Sequence, residues 1–356
     1  MSRLRVGVLF GGRSGEHEVS LRSARSVIAG LDPTRYDVTL IGINKQGHWL
    51  AGPNATHLLA APSTTAPIEP VETGLIPHDA SLRGLDVIFP VLHGPMGEDG
   101  TVQGLLELAD LPYVGCGVTA SAVGMDKVIC KAVFAAHGLP QVPYVTVKRA
   151  QWDAEPEAVL NSVEAALRYP LFVKPANMGS SVGVSKASDR AGLQAALREA
   201  ARYDRKLVVE QGIDAREIEV SVLGNDEPMA SLPGEIVPSR EFYDYTAKYI
   251  DDDSALLIPA PLTPEQTAIV QQLAVAAFLA VDGAGLARVD FLLDRQSGEL
   301  YLNEVNTLPG FTSISMYPKL WEASGLPFPQ LIDRLVDLAQ QRHQDKSRSE
   351  TSFQPA

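Results

Sequence analysis

Apolar residues in this chain come in short runs separated by polar, glycine-bearing stretches, and the rhythm of the runs changes along its length. Val6–Phe10 reads as a buried strand, followed by Gly11-Gly12 and a helix from about Glu18 to Leu31. Val38–Ile43, Val87–Pro90 and Pro112–Val114 read as further strands. Strands alternating with helices predict a parallel sheet flanked by helices. The interval Pro53–Pro77, rich in Ala, Pro and Thr, reads as a loop or peripheral excursion.

Around Gly124 the character changes. Met125-Asp126-Lys127 opens a helix to His137, and Gly138-Leu-Pro140 ends it. Strands follow at Val142–Val147, Leu171–Lys174 and Leu207–Glu210, with helices near 155–168 and 189–203. From Glu217 the pattern turns strand-rich, with Glu217–Leu223, Arg288–Leu293 and Glu299–Asn306. One helix interrupts it, capped by Thr263 with Pro264 in its first position. A last helix runs from about Pro329 to Gln341, and the polar tail after His343 is expected to be disordered. The chain therefore divides into an α/β domain over 1–123, a central subdomain over 124–216, a more α+β subdomain over 217–343, and a tail over 344–356. No internal repeat interrupts this order.

Composition narrows the partners. The formal charge is −13, so a nucleic-acid footprint is excluded and any anionic ligand needs a local basic cluster. The only cysteines, Cys116 and Cys130, have no metal-type spacing. The start runs directly into a strand, and the longest apolar run, Leu273–Val281, is about half a membrane span. A cytoplasmic protein that does not enter a membrane is expected.

Candidate chemistry begins with Arg288-Val-Asp290 and Glu304-Val-Asn306, joined through the turn-like Asp294–Gly298. Strand alternation puts Arg288 with Asp290, and Glu304 with Asn306. If a hairpin matches those faces, two carboxylates and an amide oxygen meet beside a guanidinium, a hard-oxygen set of the type Mg²⁺ takes. By itself the same hairpin also reads as a charged outer face. No P-loop string occurs. Gly115-Cys-Gly117 fits a dinucleotide fingerprint only loosely and lacks the acidic residue some 20 positions on, so it reads as a turn between domains. Lys174-Pro-Ala-Asn-Met-Gly-Ser180-Ser181-Val-Gly183 is a better phosphate loop, a lysine at a strand end followed by backbone N–H groups and two hydroxyls. Lys127, Lys174, Lys248 and Arg288 supply fixed cations. Leu207–Ile213 reads either as an ordinary strand end or as a hinge whose backbone, with Glu217, recognises a base and ribose. Gly11–Ser20, with Glu16, and His93–Gly100 are polar glycine-rich turns after strands, where open sheets bind ligands. His93 could orient a ligand or exchange a proton. Glu241–Tyr249 reads as a lid, or as a docked surface loop.

In those strings the chain resembles the D-alanine–D-alanine ligases of the ATP-grasp superfamily, in their longer form, from Val6 to about Leu338. The resemblance rests on Gly11–Ser20, His93–Gly100, Met125–Lys127, Gly179–Gly183, Tyr243–Tyr249 and Asn303–Pro318. It implies ATP-dependent joining of two D-alanines through an acyl phosphate, as a step in peptidoglycan precursor synthesis. ATP would lie with Lys127, Lys174 and Ser181 on its phosphates, its adenine against Glu210, Gln211, Ile213 and Phe291, and its ribose on Glu217. Asp290, Glu304 and Asn306 would hold two Mg²⁺ ions, with Mn²⁺ as a substitute. Arg288 and the Gly310 N–H would stabilise the oxyanion. Glu16 would bind the first ammonium, linked through Ser180 to Tyr249. His93 would help place the first substrate and Ser315 the second carboxylate. Lys248, in a lid over 239–258, would reach the γ-phosphate. A cytoplasmic homodimer is the family's expectation. Gln211 departs from the pattern, because many members carry lysine beside the adenine; an amide can still hydrogen-bond the base.

Tyr249 favours a dipeptide product over the ester of a D-alanine–D-lactate ligase, or a D-serine product. The rival of another class is a non-catalytic ATP-binding regulator, which would lack the metal and γ-phosphate ligands present here.

Overall fold

The first apolar run becomes a strand covered on both faces, which is why it shows no polar alternation. The computed structural model describes residues 3–60, 84–237, 255–312 and 314–350. In chain order the N-terminal elements are β1 (Leu4–Gly11), α1 (His17–Gly30), β2 (Tyr36–Ile43), β3 (Trp49–Ala51), α2 (Gly52–Ala60), β4 (Val87–Pro90), α3 (Thr101–Leu108) and α4 (Val118–Met125). β1 lies between β2 and β4, parallel to both, and β3 adds an antiparallel edge. Gly11 ends β1 at φ 95°, where a Cβ would stand 2.1 Å from the Ile43 carbonyl oxygen, so only glycine lets the chain turn here toward Glu16. Two expectations change. Pro53–Ala60 is helical rather than loop, because Ala55 and Leu58 bury a face on the sheet. Residues 61–77 of that interval lie outside the described residues. Pro112–Val114 makes only a single bridge, Tyr113 to Ile88, rather than a strand.

The next elements are α5 (Lys127–Ala136), β5 (Tyr144–Lys148), α6 (Arg149–Ala154), α7 (Pro156–Ala166), β6 (Leu171–Pro175), β7 (Ser185–Ala187), α8 (Arg190–Ala200) and β8 (Lys206–Gln211). Asp126 caps α5 by accepting from the Val128 and Ile129 amides. The four strands form an antiparallel sheet in the order β5-β8-β6-β7. Leu160 and Val163 of α7, with Leu193 and Leu197 of α8, cover one face.

Then come β9 (Ala215–Gly224), β10 (Met229–Ala230), β11 (Gly234–Val237), β12 (Ala255–Leu257), α9 (Pro264–Ala280), β13 (Gly285–Asp294), β14 (Leu300–Asn306), α10 (Met316–Ala323) and α11 (Phe328–Lys346). Five strands run in the order β12-β11-β9-β13-β14, and β10 pairs with β9. A capping box between Thr263 and Gln266 starts α9, which packs Val270, Ala274, Ala277 and Phe278 against the sheet. α11 reaches Lys346, so residues 344–346 continue the helix instead of forming a disordered tail. Residues 351–356 and most of the expected lid, 238–254, are outside the described residues.

Packing does not follow the linear divisions. Leu331, Ile332, Leu335 and Val336 of α11 share one core with Val6, Val8 and Phe89 of the N-terminal sheet. Arg342 ties that helix down, 4.3 Å over the Tyr113 ring and donating to the Gly115 and Tyr113 carbonyls. Cys130 and Phe134 of α5 join the core under β9, β13 and β14.

Candidate active site

Three adjacent strands set the centre of the site. Register pairs Asp290 of β13 with Glu219 of β9 on one side and Glu304 of β14 on the other, and Arg288 with Asn306. Val220, Val289 and Val305 between them point into the core beneath, so the acidic row occupies the opposite face. The expected hairpin is therefore present with its faces matched, and Glu219 extends it. Glu219 was legible only as a strand residue, since nothing local shows which strand will lie beside β13. Directly after Asp290 the register slips: Phe291 pairs with Leu302, and Asn303 is the extra residue. The bulge sends Leu302 into the core although Glu304, two positions on, is in the acidic row.

Arg288 organises the row. Its Nε and Nη2 each lie 2.7 Å from an Asp290 carboxylate oxygen, and Nε is 2.9 Å from Glu219 Oε2. Burial opposes the charge, but Asp290 and Glu219 outweigh it and raise the guanidinium pKa well above its usual value. The Asn306 amide oxygen accepts from the Leu308 N–H at 3.2 Å.

Lysines face this row from α5 and from β6 of the central sheet. Lys127 Nζ donates to the Met178 carbonyl at 2.8 Å and lies 3.9 Å from Glu304 Oε2. Lys174 Nζ is 3.4 Å from Asn303 Oδ1, so the bulge residue touches the phosphate-loop strand. Lys174 also pairs with Glu210 at 2.5 Å, and Glu210 pairs on its other oxygen with Lys131 at 2.8 Å. Glu210 and Lys131 are 3% and 1% exposed. Burial would raise the Glu210 pKa, but the two ammonium groups hold it down at about 2. Lys131 also lies 5.2 Å over the Tyr144 ring. Sequence reasoning missed Lys131, which looks like any polar position of an amphipathic helix. The Glu210 side chain thus holds two lysines, and the expectation that adenine lies against the Glu210–Ile213 segment concerns that segment's backbone.

Gln211 differs from expectation as well. Its amide accepts from the Arg168 N–H at 2.7 Å and donates to the Arg168 and Gly212 carbonyls, at 2.5 and 3.2 Å, so it staples the 168–170 connection rather than facing a base. Gln211→Ala should lower stability by about 1 kcal/mol and leave the KM for ATP within about threefold. Urea unfolding and nucleotide titration check this, and a tenfold rise in KM would return the amide to the base. Phe291 is 1% exposed inside the core, which removes it from direct ligand contact as the side chains stand. Ile213 and Glu217 are half-buried at the strand end.

The glycine-rich loop joins this cluster to the N-terminal sheet. Ser180 and Ser181 adopt left-handed backbone, φ 51° and 58°, which costs about 1–3 kcal/mol each. Asp204 anchors the loop's start through two bonds to Asn177, at 2.8 and 2.9 Å. Ser180 donates its hydroxyl to Glu16. Glu16 precedes α1 without capping it, and a Cβ on Gly94 or Gly179 would stand 2.7 or 2.9 Å from its Oε2. Glu98, which sequence reading left without a role, accepts the Gly94 N–H at 3.0 Å. Burial, reinforced by the charge of Glu16, raises its pKa to about 8.

The segment after β14 closes the site. Ser315 precedes α10 and accepts from the Thr312 N–H at 3.0 Å, and a Cβ on Gly310 would meet its Oγ at 3.0 Å. His93 contacts protein through both ring nitrogens, the Leu308 carbonyl at 3.0 Å and Ser23 Oγ at 3.0 Å. Through these contacts His93, which the resemblance expects to help place the first substrate, holds the segment that follows β14. Lys248 and Tyr249 lie outside the described residues.

Comparisons with known proteins agree in kind. The family model described as D-ala D-ala ligase N-terminus matches residues 5–116, and that described as D-ala D-ala ligase C-terminus matches 133–337. A D-alanine–D-alanine ligase of Heliobacterium modesticaldum is 56% identical over 370 residues, spanning 100% of both chains. One from Geobacillus thermodenitrificans is 51% identical over 99% of this chain and 100% of its own. Among solved structures, the D-alanine-D-alanine ligase of Coxiella burnetii superposes with a TM-score of 0.83 at 39% identity, covering 98% of this chain and 97% of that one. VanG D-Ala:D-Ser ligase from Enterococcus faecalis gives 0.83 at 37% identity, covering 95% and 100%.

Proposed function

Since the chain belongs to the D-alanine–D-alanine ligase family and has its ATP-grasp fold, it joins two D-alanines for cell-wall synthesis, and we propose that an acyl phosphate formed between Glu16 and Arg288 is the route. The observation that carries this reading is the Ser180–Glu16 hydrogen bond, which sets an ammonium-binding carboxylate against the phosphate loop.

A first D-alanine sits with its ammonium on Glu16. Its carboxylate oxygen attacks the γ-phosphorus of ATP, the bond to ADP breaks, and an acyl phosphate forms. Lys127, Lys174 and Ser181 hold the phosphates, Glu210 fixes Lys174, and Glu217 takes the ribose beside Ile213. The amine of a second D-alanine, its carboxylate near Ser315 and the start of α10, then attacks the acyl carbon. A proton leaves the nitrogen, the carbon–oxygen bond to phosphate breaks, and dipeptide and phosphate remain. Arg288 and the Gly310 N–H stabilise the oxyanion of the tetrahedral intermediate.

Asp290, Glu304 and Asn306 offer two carboxylates and an amide oxygen, the hard donors suited to two Mg²⁺ ions or to Mn²⁺. Among the described residues no three His, Cys, Asp or Glu side chains form a cage of their own, which suits ions that keep water and phosphate ligands. When bound, the ions would neutralise charge on the transferring phosphoryl group.

The working form in this reading is a cytoplasmic homodimer. Among the described residues no helix is long and apolar enough to cross a membrane. Mass analysis of products from ATP with D-alanine, alone and mixed with D-serine or D-lactate, tests the reading. D-alanyl-D-alanine should dominate, with phosphate released only when D-alanine is present. ATP turnover indifferent to D-alanine would refute it, and a predominant D-alanyl-D-serine or ester product would move the chain's specificity to the neighbouring type.

A further inference from the structure

The turn Leu308-Pro-Gly-Phe311 is held at both ends by one buried chain of hydrogen bonds. The Leu308 carbonyl faces His93 Nδ1 at 3.0 Å, His93 Nε2 faces Ser23 Oγ at 3.0 Å, and the Phe311 N–H donates to the same Oγ at 3.2 Å. Proton positions follow from the partners. A carbonyl only accepts, so Nδ1 carries the hydrogen, and in a neutral ring Nε2 is then the acceptor. Ser23 therefore donates to Nε2 and keeps a lone pair for Phe311. His93 is 4% exposed and Ser23 0%. Burial lowers the imidazole pKa, against a smaller opposing effect of Glu16, which favours the neutral ring this chain requires. All four groups are satisfied, and removing one leaves a buried orphan.

We propose that Ser23 and His93 are positioning residues for the second chemical step, clamping the turn so that the Gly310 N–H is aimed before the oxyanion forms. The proposal rests on the reading of Gly310 as an oxyanion donor. Leu308 and Phe311, on either side of Pro309-Gly310, are both buried, and the Phe311 ring stands among Phe89, Tyr317 and Phe328 at centroid distances of 5.9, 5.7 and 5.5 Å. The side chains fix where the turn sits, and the hydrogen-bonded chain fixes how its peptides are rotated. Ser23 does this from α1, one turn beyond Ser20, whose hydroxyl receives the Gly11 N–H at 2.7 Å and donates to the Val91 carbonyl. One face of α1 thus sets a strand end and the oxyanion turn together. Both ring nitrogens of His93 are committed to protein, so its influence on reaction passes through the turn.

The test separates the two half-reactions. Ser23→Ala should lower dipeptide turnover roughly 10–100-fold, the scale set by misplacing a reacting group by about 1 Å. ADP affinity and D-alanine-dependent positional isotope exchange in ATP, which report binding and acyl-phosphate formation, should stay near parent values. Phosphate released per dipeptide should rise as the intermediate is hydrolysed instead. Ser23→Thr, which keeps the hydroxyl, should restore coupling, and His93→Ala, which removes both ring nitrogens, should resemble Ser23→Ala. Parent turnover in Ser23→Ala overturns the proposal, as does a loss matched by equal losses of exchange and ADP binding. Gly310→Pro deletes the N–H itself. If it turns over normally, the oxyanion reading fails; if it is impaired while Ser23→Ala is not, only the clamp fails.

Discussion

Arg288→Lys should lower dipeptide turnover about 10²–10³-fold, the usual effect of losing one oxyanion donor, while ADP binding changes little. The reason lies in how the guanidinium is held. It meets both Asp290 oxygens at 2.7 Å and Glu219 at 2.9 Å. That planar fork is fixed by two carboxylates and leaves its remaining N–H groups aimed, an arrangement a single ammonium cannot copy. Lysine keeps the positive charge among Glu219, Asp290 and Glu304, so folding should survive. Alanine would leave a buried acidic row uncompensated, and a folding defect would obscure the chemistry. Single-turnover dipeptide formation from pre-bound ATP reads the effect. Turnover within tenfold of the parent would remove Arg288 from the transition state and leave it a structural counter-ion.

Glu210→Gln should cost about 3–5 kcal/mol of stability, because it strands Lys131 and Lys174 as buried cations without their shared carboxylate. The pH dependence gives a separate check. Folding lowers the Glu210 pKa from 4.5 to about 2, so its contribution, about 3 kcal/mol by linkage, is complete above pH 4.5 and is lost as pH falls toward 2. The stability gap between parent and variant should therefore close over that window, since protonated glutamate and glutamine are then equivalent. Urea unfolding across the window measures it, and a gap constant down to pH 2 would show that charge is not the cause. The KM for ATP should rise in the same variant, because Lys174 loses the carboxylate that aims it.

Much of the fold was legible where local pattern and burial agree. β1, α1, β4, α9 and the β13–β14 hairpin fall where apolar runs, caps and turns put them. β3, α3, α4, α6, β7, β10, β11, β12 and α10 were missed and α2 was read as loop, all short elements whose formation depends on what they pack against. The hairpin residues Arg288, Asp290, Glu304 and Asn306 were found because alternation with period two is written into the chain. Glu219, Lys131, Ser23 and Glu98 were not, because each gains its role from a partner far away in sequence. Gln211 and His93 were noticed for their type; the structure turns Gln211 toward backbone, and His93 toward the Leu308 carbonyl and the Ser23 hydroxyl.

The sequence by itself determined the groups available: lysines and a glycine-serine loop, hard oxygens beside a guanidinium, and motifs specific enough to name the family. Only the tertiary structure decided which of these groups come together and which hold other groups in place. The physical reason is that a side chain's role inside a protein is set by who satisfies its hydrogen bonds and charge. Those partners are chosen by strand register, a bulge at Asn303 and helices packed across domain lines, none of which is local in the chain.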